Sequence, residues 1–144
     1  MPRTPGFHLR SHSHGFVVHI IASPRNLRTV HELTANTLCD LRVAVEAIGT
    51  AQLIVSELIG NCVRAYDDHV PLVIEVYVPS FGVAVNVHDP GPSAPAAPPR
   101  RGLDDPDAES GRGLPLLDLL APGWHIQRSP IGKQVRCRVA HPAG

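Results

Sequence analysis

The chain has 144 residues, 43% of them hydrophobic, and its 13 basic and 13 acidic side chains cancel to a formal net charge of zero. That length fits one domain able to bury roughly two thirds of its unfolded surface without disulfides or metals. The basic residues are spread along the chain, which leaves no electrostatic footprint for nucleic acid or an anionic membrane.

Residues 1–15 are rich in Pro, Gly, His and Ser and are expected to fray as a flexible tail ahead of a single domain over 16–140. His8, His12, His14 and His19 have no Cys or carboxylate beside them, so they point to adventitious metal binding and not to a built site. No charged segment followed by an apolar one opens the chain, and no apolar run approaches about 18 residues. A cytoplasmic protein is expected. Cys39, Cys62 and Cys137 are odd in number, far apart and each in an apolar context. They suit small buried hydrophobes in a reducing compartment.

Phe16–Ile21 is apolar and β-branched, which predicts a strand. Ser23 followed by Pro24 is a helix start, because a serine can cap and proline has no N–H to leave unpaired there. This first helix should run to about Cys39 with Leu27, Val30, Thr34, Leu38 and Leu41 on one side. A second helix follows from about Val43 to Tyr66. Leu72–Val78 and Val83–Asp89 alternate around the turn 79–82 and predict an antiparallel hairpin. Asp89 continues the series Val83, Val85, Val87, so a carboxylate should point to the core face at the strand's end.

From Pro90 to Gly111 the composition shifts to Pro, Ala, Gly, Asp and Arg, which cannot pack as a helix or a central strand. Long loops of this kind in compact domains tend to be lids or binding loops. A short helix is expected over Gly113–Leu120, ended by Pro122-Gly123, and then a last hairpin of Trp124–Arg128 and Lys133–Ala140. Gln134, Arg136 and Arg138 alternate with Val135, Cys137 and Val139 in its second strand, so one face of the sheet is wet. The sum is an α+β fold, a two-layer sandwich of a mostly antiparallel sheet with helices on one face.

The second helix carries an unusual set. Ile48, Ala51, Val55, Ile59, Cys62, Val63 and Tyr66 follow the helical repeat and define an apolar face. Glu57, Asn61 and Arg64 lie three and four residues apart and share a stripe on the other side. The bland reading is a solvated face with a Glu57–Arg64 surface pair. What raises the functional reading is that two glycine-bearing segments, Asp89-Pro90-Gly91-Pro92 and Gly111-Arg112-Gly113-Leu114, follow this most hydrophobic helix.

In order and spacing these three segments resemble the boxes of the GHKL ATPases, also called the Bergerat or histidine-kinase-like ATPase fold. Glu57-Leu58-Ile59-Gly60-Asn61 stands at the N box, Asp89-Pro90-Gly91 at the D-x-G box and Gly111-Arg112-Gly113-Leu114 at the G-x-G-L box. The short length and Val55-Ser56-Glu57-Leu58 look most like the anti-sigma-factor serine kinase branch. The resemblance implies ATP and Mg²⁺ as cofactors, with residues 90–111 as the ATP lid. It implies that Asp89 accepts from the adenine amino group and that Asn61 is the Mg²⁺ ligand. Glu57 would be the catalytic residue that orients or deprotonates a serine hydroxyl. Gly91, Gly111, Arg112, Gly113 and Leu114 would lie against the nucleotide, Arg64 would face phosphate, and Lys133 would either sit near the pocket or stand solvated as a strand residue.

The implied partners are a sigma factor, which the protein would sequester, and an anti-sigma-factor antagonist, which it would phosphorylate, the protein itself being a homodimer. Ala65, Ser93 and Gln134 depart from the residues common in the family, and the departures bear on binding strength and turnover. The alternative is therefore an ATP-binding regulatory module that captures a partner with little or no kinase activity. A split histidine kinase module and a structural domain without ligand are weaker rivals.

Overall fold

The computed structural model describes residues 6–66, 69–80, 82–91 and 113–140. In chain order its elements are β1 (Phe7–His12), β2 (Gly15–Ile21), α1 (Pro24–Asp40), α2 (Val45–Tyr66), β3 (Pro71–Tyr77), β4 (Val83–Asp89), α3 (Gly113–Leu120), β5 (His125–Ser129) and β6 (Gly132–Val139). The six strands form one sheet in the order β1-β2-β3-β4-β6-β5, each pair antiparallel. Helices collect on one of its faces, as the alternation of apolar and polar strand residues requires. The fold is the expected α+β sandwich.

Inner-face residues of the strands, among them Phe16, Val18, Leu72, Ile74, Val76, Val85 and Val87, form one core with Val30, Leu38, Ile54, Val55, Ile59 and Leu117 of the helices. Helix α2 buries a wider face than its repeat predicts. Ala47, Ile54 and Leu58 are buried, whereas Ile48, Val63 and Tyr66 are only partly so. Contact with α1 and α3 as well as with β4 and β6 explains the width, because a helix gripped from several sides needs more than one apolar stripe.

The start of α1 is as expected. Ser23 Oγ accepts from the Asn26 N–H at 3.0 Å and Pro24 is the first helical residue. Two expectations fail. Cys39 is exposed and only Cys62 and Cys137 are buried. Where the composition of residues 1–15 suggests a fraying tail, Phe7–His12 pairs along β2. The physical reason is a clip that composition hides: Asn26 is buried, and its Nδ2 donates to Ile21 O at 2.7 Å and to Gly6 O at 3.2 Å. The Ile21 N–H donates to the same Gly6 carbonyl at 2.8 Å, and Phe7 packs against the core.

The outer face carries a transverse row of His8, His19, Val73, His88, Gln134 and Gln127 set by the register. It is less wet at its centre than strand alternation suggests. Asn86 is buried there, its Nδ2 donating to Glu75 Oε1 at 2.9 Å. Among the described residues, no helix is long and apolar enough to cross a membrane.

Because the Asn26 Nδ2 bridges the carbonyls of Gly6 and Ile21, Asn26→Ala should lower stability by about 1–3 kcal/mol. Hydrogen exchange should speed up first in the amides of β1. Unchanged exchange there would show that strand pairing alone holds it.

Candidate functional site

Asp89 is the last residue of β4 and only 2% exposed. It sits on the inner face, as the parity of Val83, Val85 and Val87 predicts. A buried carboxylate costs several kcal/mol unless donors satisfy it, and here three side chains do. Lys133 Nζ lies 3.2 Å from Oδ2 and 3.4 Å from Oδ1. Tyr66 OH donates to Oδ1 at 3.4 Å and Cys62 Sγ to Oδ2 at 3.5 Å. Lys133 Nζ also donates to Tyr66 OH at 3.2 Å and stands 5.5 Å from the centre of its ring.

Each partner arrives by regular structure. The β4–β6 register sets Lys133 directly opposite Asp89, and Cys62 and Tyr66 lie one helical turn apart at the end of α2. Two glycines let the strand ends close around the carboxylate. A Cβ on Gly132 would collide with the Asp89 carbonyl oxygen, and Gly132 has φ +147°. A Cβ on Gly91, at φ +48°, would come within 3.2 Å of Gly132 Cα and Lys133 N. Only glycine adopts such backbone without strain.

Burial shapes the titration of this cluster. Burial, and then the charge of Asp89, push the Cys62 thiol from 9.0 to about 12. Burial also raises Tyr66. For Lys133, burial favours the neutral amine, but the carboxylate of Asp89 and the bond to Tyr66 outweigh it and hold the ammonium above its ordinary value.

The stripe on α2 is present in altered form. Glu57 and Asn61 are half-buried and Arg64 is exposed. The surface partner of Arg64 is Asn61, whose Oδ1 accepts from Arg64 Nη2 at 2.6 Å, and not Glu57. Gly113 is the first residue of α3 and Leu114 the second. Gly111, Arg112, Ser93 and all of the lid beyond Gly91 lie outside the described residues. Ala65 is exposed. Gln134 points to the outer face, where its Oε1 accepts from Arg136 Nη1 at 2.9 Å. The β6 residue that faces Asp89 is Lys133.

Cys62 and Tyr66 read from sequence as core packing and not as partners of Asp89. The signal for them is faint: two polar-tipped side chains, one turn apart, end an otherwise aliphatic face. A groove of about 600 Å³ on the outer face, lined in part by His8, His19, His88 and Ile131, does not include Asp89. Among the described residues, no three His, Cys, Asp or Glu side chains group as metal ligands.

Residues 20–139 match the family described as the histidine kinase-like ATPase domain. The chain belongs to that family. A further relative is "Uncharacterized protein SCO4941" of Streptomyces coelicolor, 43% identical over 68 residues, which is 46% of this chain and 59% of that protein. The chain thus spans less than two thirds of the length of that relative. As a histidine kinase-like ATPase domain, this chain is of a kind that binds ATP. Its residues fit such a ligand: a buried carboxylate at a strand end and a half-buried amide and carboxylate on the adjacent helix.

The thiol shift fixes the sign of the alkaline response. Above pH 9 an unfolded Cys62 releases its proton, while the folded one keeps it to about 12. The unfolded state then binds fewer protons, so stability is full below pH 9 and falls as pH rises towards 12. Tyr66 and Lys133, both raised, act in the same direction. Urea unfolding between pH 8 and 11 should show this decline, with a shallower slope in Cys62→Ala. An identical slope in the variant would place the effect elsewhere.

Proposed function

We propose that this histidine kinase-like ATPase domain binds ATP·Mg²⁺ and transfers the γ-phosphoryl group to a serine of a partner protein. The observation that carries the proposal is the place of Asp89: a carboxylate held at the inner end of β4, beside the helix that bears Glu57 and Asn61. Asp89 would accept from the adenine amino group. Asn61 Oδ1 would supply an uncharged oxygen of the kind Mg²⁺ shares with phosphate, with the bond from Arg64 held on its other lone pair or given up. Arg64 would then face phosphate. Held by Asn61, Mg²⁺ would supply neutralisation of the charge that builds on the phosphate oxygens.

Glu57 lies one helical turn before Asn61 and would orient the serine hydroxyl or take its proton. A carboxylate there needs no strong basicity, because positioning and charge neutralisation supply most of the acceleration in phosphoryl transfer. By resemblance to the anti-sigma-factor branch, the phosphate acceptor is an anti-sigma-factor antagonist and the captured partner a sigma factor, with the protein acting as a homodimer.

A second reading is favoured by one observation. Asn61 Oδ1 is taken by Arg64 at 2.6 Å, which suits a module that holds nucleotide as a regulatory ligand and works by partner capture. Glu57→Ala separates the two. It should retain ATP affinity within about threefold and lose phosphotransfer to a cognate antagonist by a factor of 100 or more, on the order of general-base contributions. Undiminished transfer would move the base elsewhere, and no transfer from the unmodified protein would favour partner capture.

A further inference from the structure

We propose that Lys133 and Tyr66 form a clasp over Asp89 that nucleotide must open, so that Lys133 sets the affinity and selectivity of the base site. This rests on the adenine-nucleotide reading of Asp89 above. An ionised carboxylate offers about four acceptor positions. In this structure Asp89 already receives four contacts: two from Lys133 Nζ, one from Tyr66 OH and one from Cys62 Sγ. An incoming amino group can bond to it only by displacing one of them.

The three donors are not equally fixed. Cys62 belongs to the buried face of α2 and Tyr66 closes its last turn. Lys133 reaches in on a flexible stem, and its side chain is 22% exposed against 2% for Asp89. It is therefore the group with somewhere to go. From β6 it crosses to Tyr66, joining sheet and helix directly over the carboxylate by the 3.2 Å bond and the 5.5 Å approach to the ring. A ligand that cannot donate to Asp89 has nothing to offer in exchange for that ion pair. A base with an exocyclic amine can take the carboxylate and leave the ammonium to water. The clasp thus selects for a donor at the base edge and lowers the resting affinity for every nucleotide.

Lys133 is the single lysine of the chain, which makes it directly observable. Calorimetric titration with ATP should give Lys133→Met, which keeps the length of the stem and loses the charge, about tenfold tighter binding than the unmodified protein. In the unmodified protein, the nuclear Overhauser contact between the Lys133 Hε protons and the Tyr66 ring should be present without nucleotide and lost with saturating ATP. If ATP binds but Lys133→Met binds no more tightly, or the Lys133–Tyr66 contact persists in the complex, the clasp is overturned and the ATP site stands. If neither protein binds ATP, both the nucleotide reading and the clasp fall. The proton contact is read in the unmodified chain, so it decides even where the variant does not fold.

Discussion

The ion pair between Asp89 and Lys133, buried between sheet and helix, is the constraint on which the architecture around the site depends. A carboxylate 2% exposed costs several kcal/mol of stability unless it is paired and hydrogen-bonded or takes up a proton. Meeting that demand fixes several features at once. β6 must enter in the register that sets residue 133 opposite residue 89. The end of α2 must lie close enough for Cys62 and Tyr66 to donate, and glycine must stand at position 132, because a Cβ there would collide with the Asp89 carbonyl oxygen. The sequence tolerates an expensive group in its core at a place where aliphatic residues precede it at every alternate position. A purely structural domain would have little reason to keep it, since replacing a buried pair by apolar residues is often neutral or stabilising.

The donors around the pair join α2 to the sheet, since Cys62 and Tyr66 of the helix donate to Asp89 of β4 and Lys133 of β6 donates to Tyr66. On the sheet side Val83, Val85 and Val87 bury against α2, and the row ends in a carboxylate. On the helix side Ile54, Val55, Leu58 and Ile59 do the same, and the row ends in a thiol and a phenol. Polar chemistry is thus concentrated at one end of the core, beside the exposed turn where Asn61 and Arg64 bond to each other. A site placed at the margin of a packed core gains rigidity from the core and access from the margin. The histidine kinase-like ATPase assignment accords with that placement.

Much of this was legible in the sequence where a period is strict. Alternation along Val83–Asp89 settles the side of the sheet that Asp89 faces, and Ser23-Pro24 settles the start of α1, because each follows from local geometry. What escaped depends on contacts between residues distant in sequence. Asn26 looks like a helix-surface amide until Gly6 and Ile21 present carbonyls to it. Tyr66 looks like core until Asp89 and Lys133 reach its hydroxyl. Lys133 alternates correctly with the wet residues of β6, but only the register with β4 shows that its partner is Asp89. The departure at Gln134 lies on the outer face, and the β6 residue that bears on the base site is the lysine beside it.

The most direct test of the account is calorimetric titration of ATP, with Mg²⁺, into the unmodified protein and Asp89→Asn, with circular dichroism to show that both are folded. The account predicts micromolar binding, about −8 kcal/mol, in the unmodified protein and a loss of 100-fold or more in the folded variant, because an amide oxygen carries no full charge and its NH₂ would face the amino group of the base. Equal affinity in the two proteins would contradict it and remove Asp89 from the nucleotide site.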